Sequence, residues 1–177
     1  FAENSLGVLL CVYCLGGDVE QASRDLKKWK PSSGRGSIEK ISLPLGNIFL
    51  IDDAFNANPS SMKAALRLLG QKNIYGNRRV AVLGDMLELG MKEVMLHEEI
   101  SSWPELAAID TIHTIGPLMH NLHSQLPINK KGCHYRNKIE IISDLENILR
   151  KGDIVLVKSS KSVGLSSLVN AIRDMKI

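Results

Sequence analysis

Aromatic side chains and net charge are both scarce in this sequence of 177 residues. Phe, Trp and Tyr make up 5% of it, and 22 Lys and Arg face 19 Asp and Glu, which leaves a formal net charge of +3. The basic residues are scattered rather than gathered into one patch. Because nucleic-acid binding uses a basic surface and often aromatic platforms for the bases, we expect no nucleic-acid partner.

Long hydrophobic runs and cysteines are also few. The longest apolar stretch, Leu6 to Leu15, is too short to span a bilayer, which takes about 20 residues. No stretch of this sequence has the pattern of a signal peptide, and we expect no membrane partner and a cytoplasmic location. Cys11 and Cys14 form one C-x-x-C inside an apolar helical run, without a second pair. We therefore expect free cysteines buried in a core rather than zinc or redox ligands.

Several catalytic and binding motifs are absent as well. The sequence has no Gly-x-x-x-x-Gly-Lys-Ser/Thr, no Gly-x-Gly-x-x-Gly and no Gly-x-Ser-x-Gly. The histidines offer one weak pair, His120 and His123, in a helix of ordinary amphipathic pattern. We expect no metal site in this chain.

What the sequence does contain is an alternation of apolar runs with amphipathic segments from about residue 38 to the end. The predicted strands are Ile38–Leu43, Ile48–Ile51, Val80–Leu83, Thr111–Ile115, Gly132–Tyr135 and Ile154–Val157. Helices are predicted at about 60–71, 92–101, 117–125, 138–150 and 162–175. The first two strands are joined by a short turn typical of a hairpin. The rest of the alternation predicts an α/β fold: a mostly parallel six-stranded sheet with helices on both faces.

The first 30 residues differ from the rest. They predict two helices separated by Gly16-Gly17, with Asp18 as the cap of the second. The first is apolar nearly all round and therefore needs partners on several sides. Lys30–Gly36 has the composition of a linker. Since the chain begins at Phe1 within a helical pattern, we expect it to be a piece of a longer protein, with the missing partner surface upstream.

The most informative stretch follows the second strand. Asp52 and Asp53 end an apolar run, and Asn58 is a good cap for the helix that begins near Pro59. Two acids and two amides are thus predicted at the carboxyl end of a strand, beside a helix N-terminus. In open α/β sheets, nucleotides and anions bind at such edges. The plain alternative is a strand end and a helix cap without further function.

Two more strands end in polar turns, and the linker contributes one cation. Gly84-Asp85-Met86 follows the third strand, and Lys158-Ser159-Ser160-Lys161-Ser162 follows the last. In the latter, cations, hydroxyls and a predicted helix start favour a carboxylate or phosphate site, while a capping serine with two surface lysines would fit equally well. Arg35 lies between two glycines that let the backbone approach a ligand.

Taken together, these motifs resemble the Mur ligase family. The resemblance rests on Gly34-Arg35-Gly36, Ile51-Asp-Asp-Ala-Phe-Asn-Ala-Asn-Pro-Ser-Ser-Met62, Val82-Leu-Gly-Asp-Met-Leu-Glu-Leu-Gly90, Leu96-His97 and Val157-Lys-Ser-Ser160. It implies that residues 1–33 are the last two helices of a truncated central ATPase domain. Residues 34–177 would be the Rossmann-like C-terminal domain. The missing N-terminal and central domains would then be the partners of this fragment.

The resemblance also implies an activity. The motifs look most like those of the member that adds D-Ala-D-Ala to UDP-N-acetylmuramoyl-tripeptide. There, ATP phosphorylates the peptide carboxylate, and the dipeptide amine attacks the acyl phosphate. The Mg²⁺ ligands and the catalytic residues would lie in the missing central domain, so the fragment alone should be inactive.

The resemblance also implies binding roles for individual residues. Arg35 would reach the ATP phosphates, Asp53 the ribose and Asn56 the adenine, with Asn58 in the same cofactor-binding set. Four further residues would hold the dipeptide or the peptide carboxylates: Gly84, Asp85, Lys158 and Ser159. Ala54-Phe55 stands where the family usually has Ser-Tyr, and Ser159 stands where it has glycine.

Two alternatives remain open from the sequence. The chain could be a non-catalytic remnant or interaction module that uses its N-terminal helices to bind a partner or itself. It could also be a generic nucleotide-binding regulatory domain, which would bind ATP tightly on its own.

Overall fold

The chain forms two compact units. The computed structural model describes residues 2–44, 46–71 and 77–175, without the side chains of residues 2 and 3. Phe1–Pro31 forms the first unit and Ser32–Ile177 the second. In the part of the chain that the structure describes, no helix is long and apolar enough to cross a membrane.

The first unit contains two helices, α1 (Ala2–Cys14) and α2 (Val19–Leu26). Gly16 has a φ of +72°, which glycine adopts easily, and it ends α1 as predicted. The Asp18 side chain accepts a hydrogen bond from the Gln21 amide at 2.9 Å, so the predicted cap of α2 is confirmed.

The prediction of buried cysteines is wrong. Cys11 and Cys14 are exposed, and α1 also exposes Leu10 and Tyr13 to 62% and 71%. A helix that is apolar all round is buried only by several neighbours, and among the described residues of this unit α2 is its one helical partner.

The second unit is built on one six-stranded sheet, which confirms the predicted α/β class. Its strands in chain order are β1 (Ser37–Leu43), β2 (Gly46–Asp53), β3 (Arg79–Gly84), β4 (Thr111–Ile115), β5 (Lys131–Tyr135) and β6 (Ile154–Lys158). Their order across the sheet is β1-β2-β6-β3-β4-β5. Only the β1–β2 pair is antiparallel, with Leu43 opposite Gly46 as in the predicted hairpin. Leu45 of that turn lies outside the described residues.

Six helices cover the two faces of this sheet. They are α3 (Pro59–Gln71), α4 (Glu93–Glu99), α5 (Met119–Gln125), α6 (Lys138–Ser143), α7 (Leu145–Ile148) and α8 (Ser166–Asp174). Alternate residues of β3 point to opposite sides: Val80 and Val82 pack with α6–α8, whereas Ala81 and Leu83 pack with α3 and α5. Both faces therefore carry a hydrophobic core, and only the strand ends are left for a site.

Two predicted helices differ from those in the structure, and one short helix is additional. The segment predicted at 138–150 divides into α6 and α7 at Asp144, whose carboxylate accepts hydrogen bonds from Tyr135 and Asn147. The last helix begins at Ser166 rather than near 162, because Gly164 with a φ of +77° ends a preceding 3₁₀ turn, Lys161–Val163. A further 3₁₀ turn, Pro104–Ala108, was not predicted.

Candidate functional site

The carboxyl ends of β2, β6 and β3 meet at one edge of the sheet, as the sequence predicts. Asp53 lies opposite Lys158 in the β2–β6 pair, and Leu83 lies opposite Lys158 in the β3–β6 pair. The three polar turns that follow these strands are therefore neighbours in space. This edge is the candidate site.

Lys158 is buried at the centre of the edge. Its side chain is 1% exposed, and its Nζ donates to Asp53 Oδ2 at 2.7 Å and to the Asn56 carbonyl at 2.9 Å. Burial raises the pKa of the Asp53 carboxyl above its ordinary value, and the Lys158 ammonium opposes that rise. The alternative of a surface lysine is therefore wrong at position 158, because its charge is used inside the protein.

Ser160 joins the three turns and was missing from the predicted site residues. Its amide donates to the Asp85 carbonyl at 3.0 Å, and its hydroxyl accepts from the Leu87 amide at 2.8 Å and faces the Ala57 carbonyl at 3.5 Å. The sequence contains a hint of this role, since Ser160 follows a buried strand in a run of hydroxyl residues. Its partners come from two distant turns, which a local sequence pattern does not indicate.

Gly84 and Ser159 pack directly against each other beneath this edge. A Cβ on Gly84 would lie 2.7 Å from the Ser159 Cβ and 3.1 Å from Leu165 Cδ1. Ser159 is fully buried, and its hydroxyl donates to the Ser160 carbonyl at 3.1 Å. The helix start predicted for this turn lies further on, at Ser166, after the 3₁₀ turn Lys161–Val163.

Asp85 and His97 hold the turn after β3 in place. Asp85 is buried, its Oδ1 accepts from the Met119 amide at 2.7 Å, and burial raises the pKa of its carboxyl. His97 is fully buried and accepts from the Met86 amide at 3.0 Å, while its other ring nitrogen lies 2.6 Å from the Glu93 carbonyl. Both side chains point into the protein and fix the backbone of the turn.

The segment around Arg35 is fastened to the sheet rather than free, although its composition predicts a linker. The Asp52 carboxylate accepts from the Gly34 amide at 3.0 Å and from Arg173 at 3.1 Å. The Gly36 amide donates to the Asp52 carbonyl at 2.7 Å, and the Phe55 amide donates to the Gly34 carbonyl at 3.0 Å. Gly34 has a φ of +78°, and a Cβ there would press on Phe55. Only glycine fits this close approach.

Two cationic side chains lie against the Phe55 ring at this edge of the sheet. The Arg35 guanidinium carbon lies 4.2 Å from the centre of the Phe55 ring, and Lys161 Nζ lies 5.3 Å from it. Neither cation has a carboxylate within 4.0 Å among the described residues. These two positive charges are therefore available to an anion.

An open cleft of about 560 Å³ lies beside this ring. The residues that line it are Phe55, Asn56, Leu87, Glu88, Ser160, Lys161 and Ser162. Glu88 has a φ of +65°, the one positive φ of a non-glycine residue in the described ranges. Such a conformation costs about 1–3 kcal/mol and often marks a functional position.

The two asparagines of the β2–α3 turn differ in what they can still bind. Asn58 Oδ1 accepts from the Ser61 amide and the Ser60 hydroxyl, each at 2.9 Å, so the predicted cap of α3 is confirmed. Asn56 Oδ1 accepts from the Ala57 amide at 2.9 Å, and the side chain is exposed at the cleft. Within the described ranges no three His, Cys, Asp or Glu side chains converge to hold a metal ion.

The family model and the curated relatives that match this chain both belong to the Mur ligases. Residues 38–161 match the family described as "Mur ligase, glutamate ligase domain". The chain is 33% identical over 170 residues to the UDP-N-acetylmuramoyl-tripeptide–D-alanyl-D-alanine ligase of Rickettsia prowazekii, covering 96% of this chain and 36% of the relative. The enzyme of the same name from Escherichia coli is 31% identical over 173 residues, with coverage of 97% and 36%. The chain thus spans about a third of the length of these relatives.

Solved structures share the fold. MurF from Acinetobacter baumannii aligns with a TM-score of 0.79 at 23% identity, over 98% of this chain and 37% of that one. MurF ligase from Thermotoga maritima, solved in complex with ADP, aligns with a TM-score of 0.71 at 24% identity, over 94% of this chain and 36% of that one.

Proposed function

The chain belongs to the Mur ligase family, and we propose that it is the C-terminal part of the ATP-dependent ligase that adds D-Ala-D-Ala to UDP-N-acetylmuramoyl-tripeptide. The product would be the pentapeptide precursor of peptidoglycan, formed through an acyl phosphate. The observation that carries the proposal is the match along nearly the whole chain to relatives that bear this name, at 33% and 31% identity.

We propose residues 1–33 as the end of the central ATPase domain and residues 34–177 as the C-terminal domain. The division of the chain into Phe1–Pro31 and Ser32–Ile177 supports a boundary in this region. The ligands of Mg²⁺ and the residues that act on the acyl phosphate would belong to the central domain. The isolated chain should accordingly not catalyse the reaction.

On the nucleotide side, Arg35 is proposed to meet the ATP phosphates. Its guanidinium has no carboxylate partner among the described side chains and is held over Phe55. Asp53 gives one oxygen to Lys158, and no described donor takes the other, which leaves it for a ribose hydroxyl. Asn56 is exposed for contact with adenine, whereas Asn58 has only its amide nitrogen to offer.

On the substrate side, we propose that Gly84, Asp85, Lys158 and Ser159 form the floor of the site. All four are buried. The Asp85 carboxylate accepts a hydrogen bond from the start of α5, the Lys158 ammonium donates to the end of β2, and the Ser159 hydroxyl donates to the carbonyl of the next residue. Their role would be to hold the turns that contact the peptide. A domain built in this way could close over the acyl phosphate, exclude water and bring in the amine.

The cellular setting follows from the same proposal. The three cysteines are free, which fits a reducing cytoplasm. The expected substrates, ATP, UDP-N-acetylmuramoyl-tripeptide and D-Ala-D-Ala, are small and diffusible.

Arg35→Ala in the full-length ligase tests the nucleotide assignment. Removal of a cation that stabilises a transferring phosphoryl group costs about 100-fold in kcat/KM for ATP. Arg136→Ala, which removes another exposed arginine side chain, is the matched control. Normal ATP turnover by the Arg35→Ala enzyme would remove Arg35 from the site.

A further inference from the structure

Phe55 is an apolar side chain at an otherwise polar edge of the sheet. Its side chain is 38% exposed, and it lines two clefts, of about 250 Å³ and about 560 Å³. Among the described residues, the two hydrophobic cores of the sheet do not include it. Packing in a core therefore does not explain why a phenyl ring stands at this position.

The ring is in contact with the Arg35 guanidinium. The guanidinium carbon lies 4.2 Å from the ring centre, well inside the separation of about 6 Å at which a cation and an aromatic face attract each other. Within the described ranges no carboxylate lies within 4.0 Å of this guanidinium. The Phe55 ring is therefore the side chain that holds it.

Backbone hydrogen bonds bring the two residues together. The Phe55 amide donates to the Gly34 carbonyl at 3.0 Å, and the Gly36 amide donates to the Asp52 carbonyl at 2.7 Å. Because these bonds involve the residues on either side of Arg35, its backbone is fixed beside the end of β2. An arginine side chain still has many rotamers when its backbone is fixed. The ring contact restricts the freedom that the backbone bonds leave.

An aromatic face holds a cation without neutralising it. A carboxylate would bind the guanidinium through its N–H donors and cancel its charge. The ring accepts no conventional hydrogen bond, so the N–H donors of Arg35 remain available to an anion. Burial raises the pKa of the Asp53 carboxyl, and the charges of Lys158 and Arg35 both oppose that rise. The charged guanidinium is thus close enough to the centre of the site to act on it.

We propose that Phe55 is a positioning residue for phosphoryl transfer, whose ring face holds the Arg35 guanidinium in the orientation that meets the ATP phosphates. The inference rests on the proposed function, in which Arg35 meets those phosphates. Phe55 acts through Arg35 and needs no contact of its own with ATP. A guanidinium that is ordered before ATP binds loses less freedom on binding and stabilises the transferring group better.

The electron density of the ring is the property that tests this role. Phenylalanines with one, two and three fluorine atoms, placed at position 55 of the full-length ligase, weaken the attraction for a cation with little change in ring size. The value of kcat/KM for ATP should fall stepwise, by about fivefold over the series, while KM for D-Ala-D-Ala stays unchanged. A packing role would leave all three variants as active as the native enzyme. Activities that do not follow the number of fluorine atoms would overturn the proposal.

The same three replacements at Phe49 are the matched control. Phe49 packs against the core on the α3 side of the sheet, and in the part of the chain that the structure describes no cation lies over its ring. Fluorination there should leave kcat/KM for ATP unchanged. An equal stepwise fall at Phe49 would assign the loss to fluorination itself and would overturn the proposal.

The coupling of Phe55 to Arg35 is tested with Phe55→Leu, which removes the ring and keeps an apolar side chain. It should lower kcat/KM for ATP about fivefold, whereas Phe55→Tyr, which keeps the ring, should retain the native value. In an Arg35→Ala background Phe55→Leu should cause no further loss, because the ring acts through Arg35. Equal losses in both backgrounds would mean that the ring contacts ATP directly, and the positioning role would be wrong.

The two proposals fail in different ways. If Arg35→Ala retains normal ATP turnover, the nucleotide assignment of the proposed function is wrong, and the role of Phe55 falls with it. If Arg35→Ala loses turnover as expected but the fluorinated variants and Phe55→Leu are as active as the native enzyme, the role of Phe55 alone is wrong.

Discussion

The ammonium of Lys158 lies 2.7 Å from the carboxylate of Asp53, at paired positions of two neighbouring parallel strands. This ion pair fastens the end of β6 to the end of β2, and the bond from Lys158 to the Asn56 carbonyl adds the turn that follows. One buried cation thus joins the ends of β2 and β6 and the turn after β2.

Removal of that cation should destabilise the chain strongly. Lys158→Met leaves the Asp53 carboxylate without its partner, and loss of one member of a buried pair costs about 3–5 kcal/mol. We expect the free energy of unfolding, measured by urea denaturation at neutral pH, to fall by at least the lower of these values.

Lys151→Met, at an exposed lysine, should change the free energy of unfolding by less than about 0.5 kcal/mol. The double variant Asp53→Asn with Lys158→Met should lose less than the sum of its two single variants, because neither charge is then left unpaired. Additive losses would mean that the two side chains do not act as a pair.

The contact between Gly84 and Ser159 predicts a compensating pair of substitutions. Gly84→Ala would bring a methyl group within 2.7 Å of the Ser159 Cβ, and overpacking of this kind costs about 1–3 kcal/mol. Ser159→Gly in the same chain removes that obstacle, although the 3.1 Å approach to Leu165 remains. The double variant should therefore unfold at higher urea than Gly84→Ala alone. An equally unstable double variant would place the conflict elsewhere.

Asp52 should control the segment that carries Arg35. Asp52→Asn weakens the acceptor of the Gly34 amide and of Arg173, and hydrogen bonds to a charged group contribute about 1.5–3 kcal/mol. We expect faster hydrogen exchange at the amides of Gly34 and Gly36 than in the control Asp174→Asn, whose carboxylate is exposed. In the full-length ligase KM for ATP should rise. Unchanged exchange at both glycines would contradict this role.

The buried imidazole of His113, on β4, should make the chain less stable in acid. Burial lowers its pKa to about 4, from an ordinary value of about 6.5. The unfolded chain therefore binds the proton more readily, so stability decreases as the pH falls from about 6.5 to about 4 and does not decrease further through this group. The contribution is about 3 kcal/mol.

The check is to compare urea denaturation of the native chain and His113→Asn across this pH range. Arg78, Asp144 and Asp153 also act on the imidazole, and the variant retains all three. The native chain should lose more stability than the variant between pH 6.5 and pH 4. Equal losses would show that other groups cause the acid sensitivity.

Much of the fold could be predicted from local pattern. The run Ile48–Ile51, the acids after it and the cap at Asn58 specify a strand, a turn and a helix start within a dozen residues, and all three are present. The apolar stripe predicts too early a start for α8, because the left-handed conformation of Gly164 is set by its neighbours and not by that stripe.

The site was predicted less completely, because its pairings join distant parts of the chain. The order of motifs indicates that three strand ends share an edge. It does not indicate that Asp53 and Lys158 lie opposite each other on neighbouring strands. Because Lys158 is paired in this way, Lys161 is the lysine of that turn whose charge remains available. The exposure of Cys11 and Cys14 was missed for a related reason: an apolar helix indicates a need for partners, not which partners are present.

The proposed D-Ala-D-Ala ligase activity is tested by product formation with the full-length enzyme. The purified enzyme would be incubated with ATP, Mg²⁺ and UDP-N-acetylmuramoyl-tripeptide, with D-Ala-D-Ala or with single amino acids such as L-Ala or D-Glu. We predict a UDP-linked pentapeptide and stoichiometric ADP only with D-Ala-D-Ala. Release of ADP that does not depend on the dipeptide, or product formation with a single amino acid instead, would contradict it.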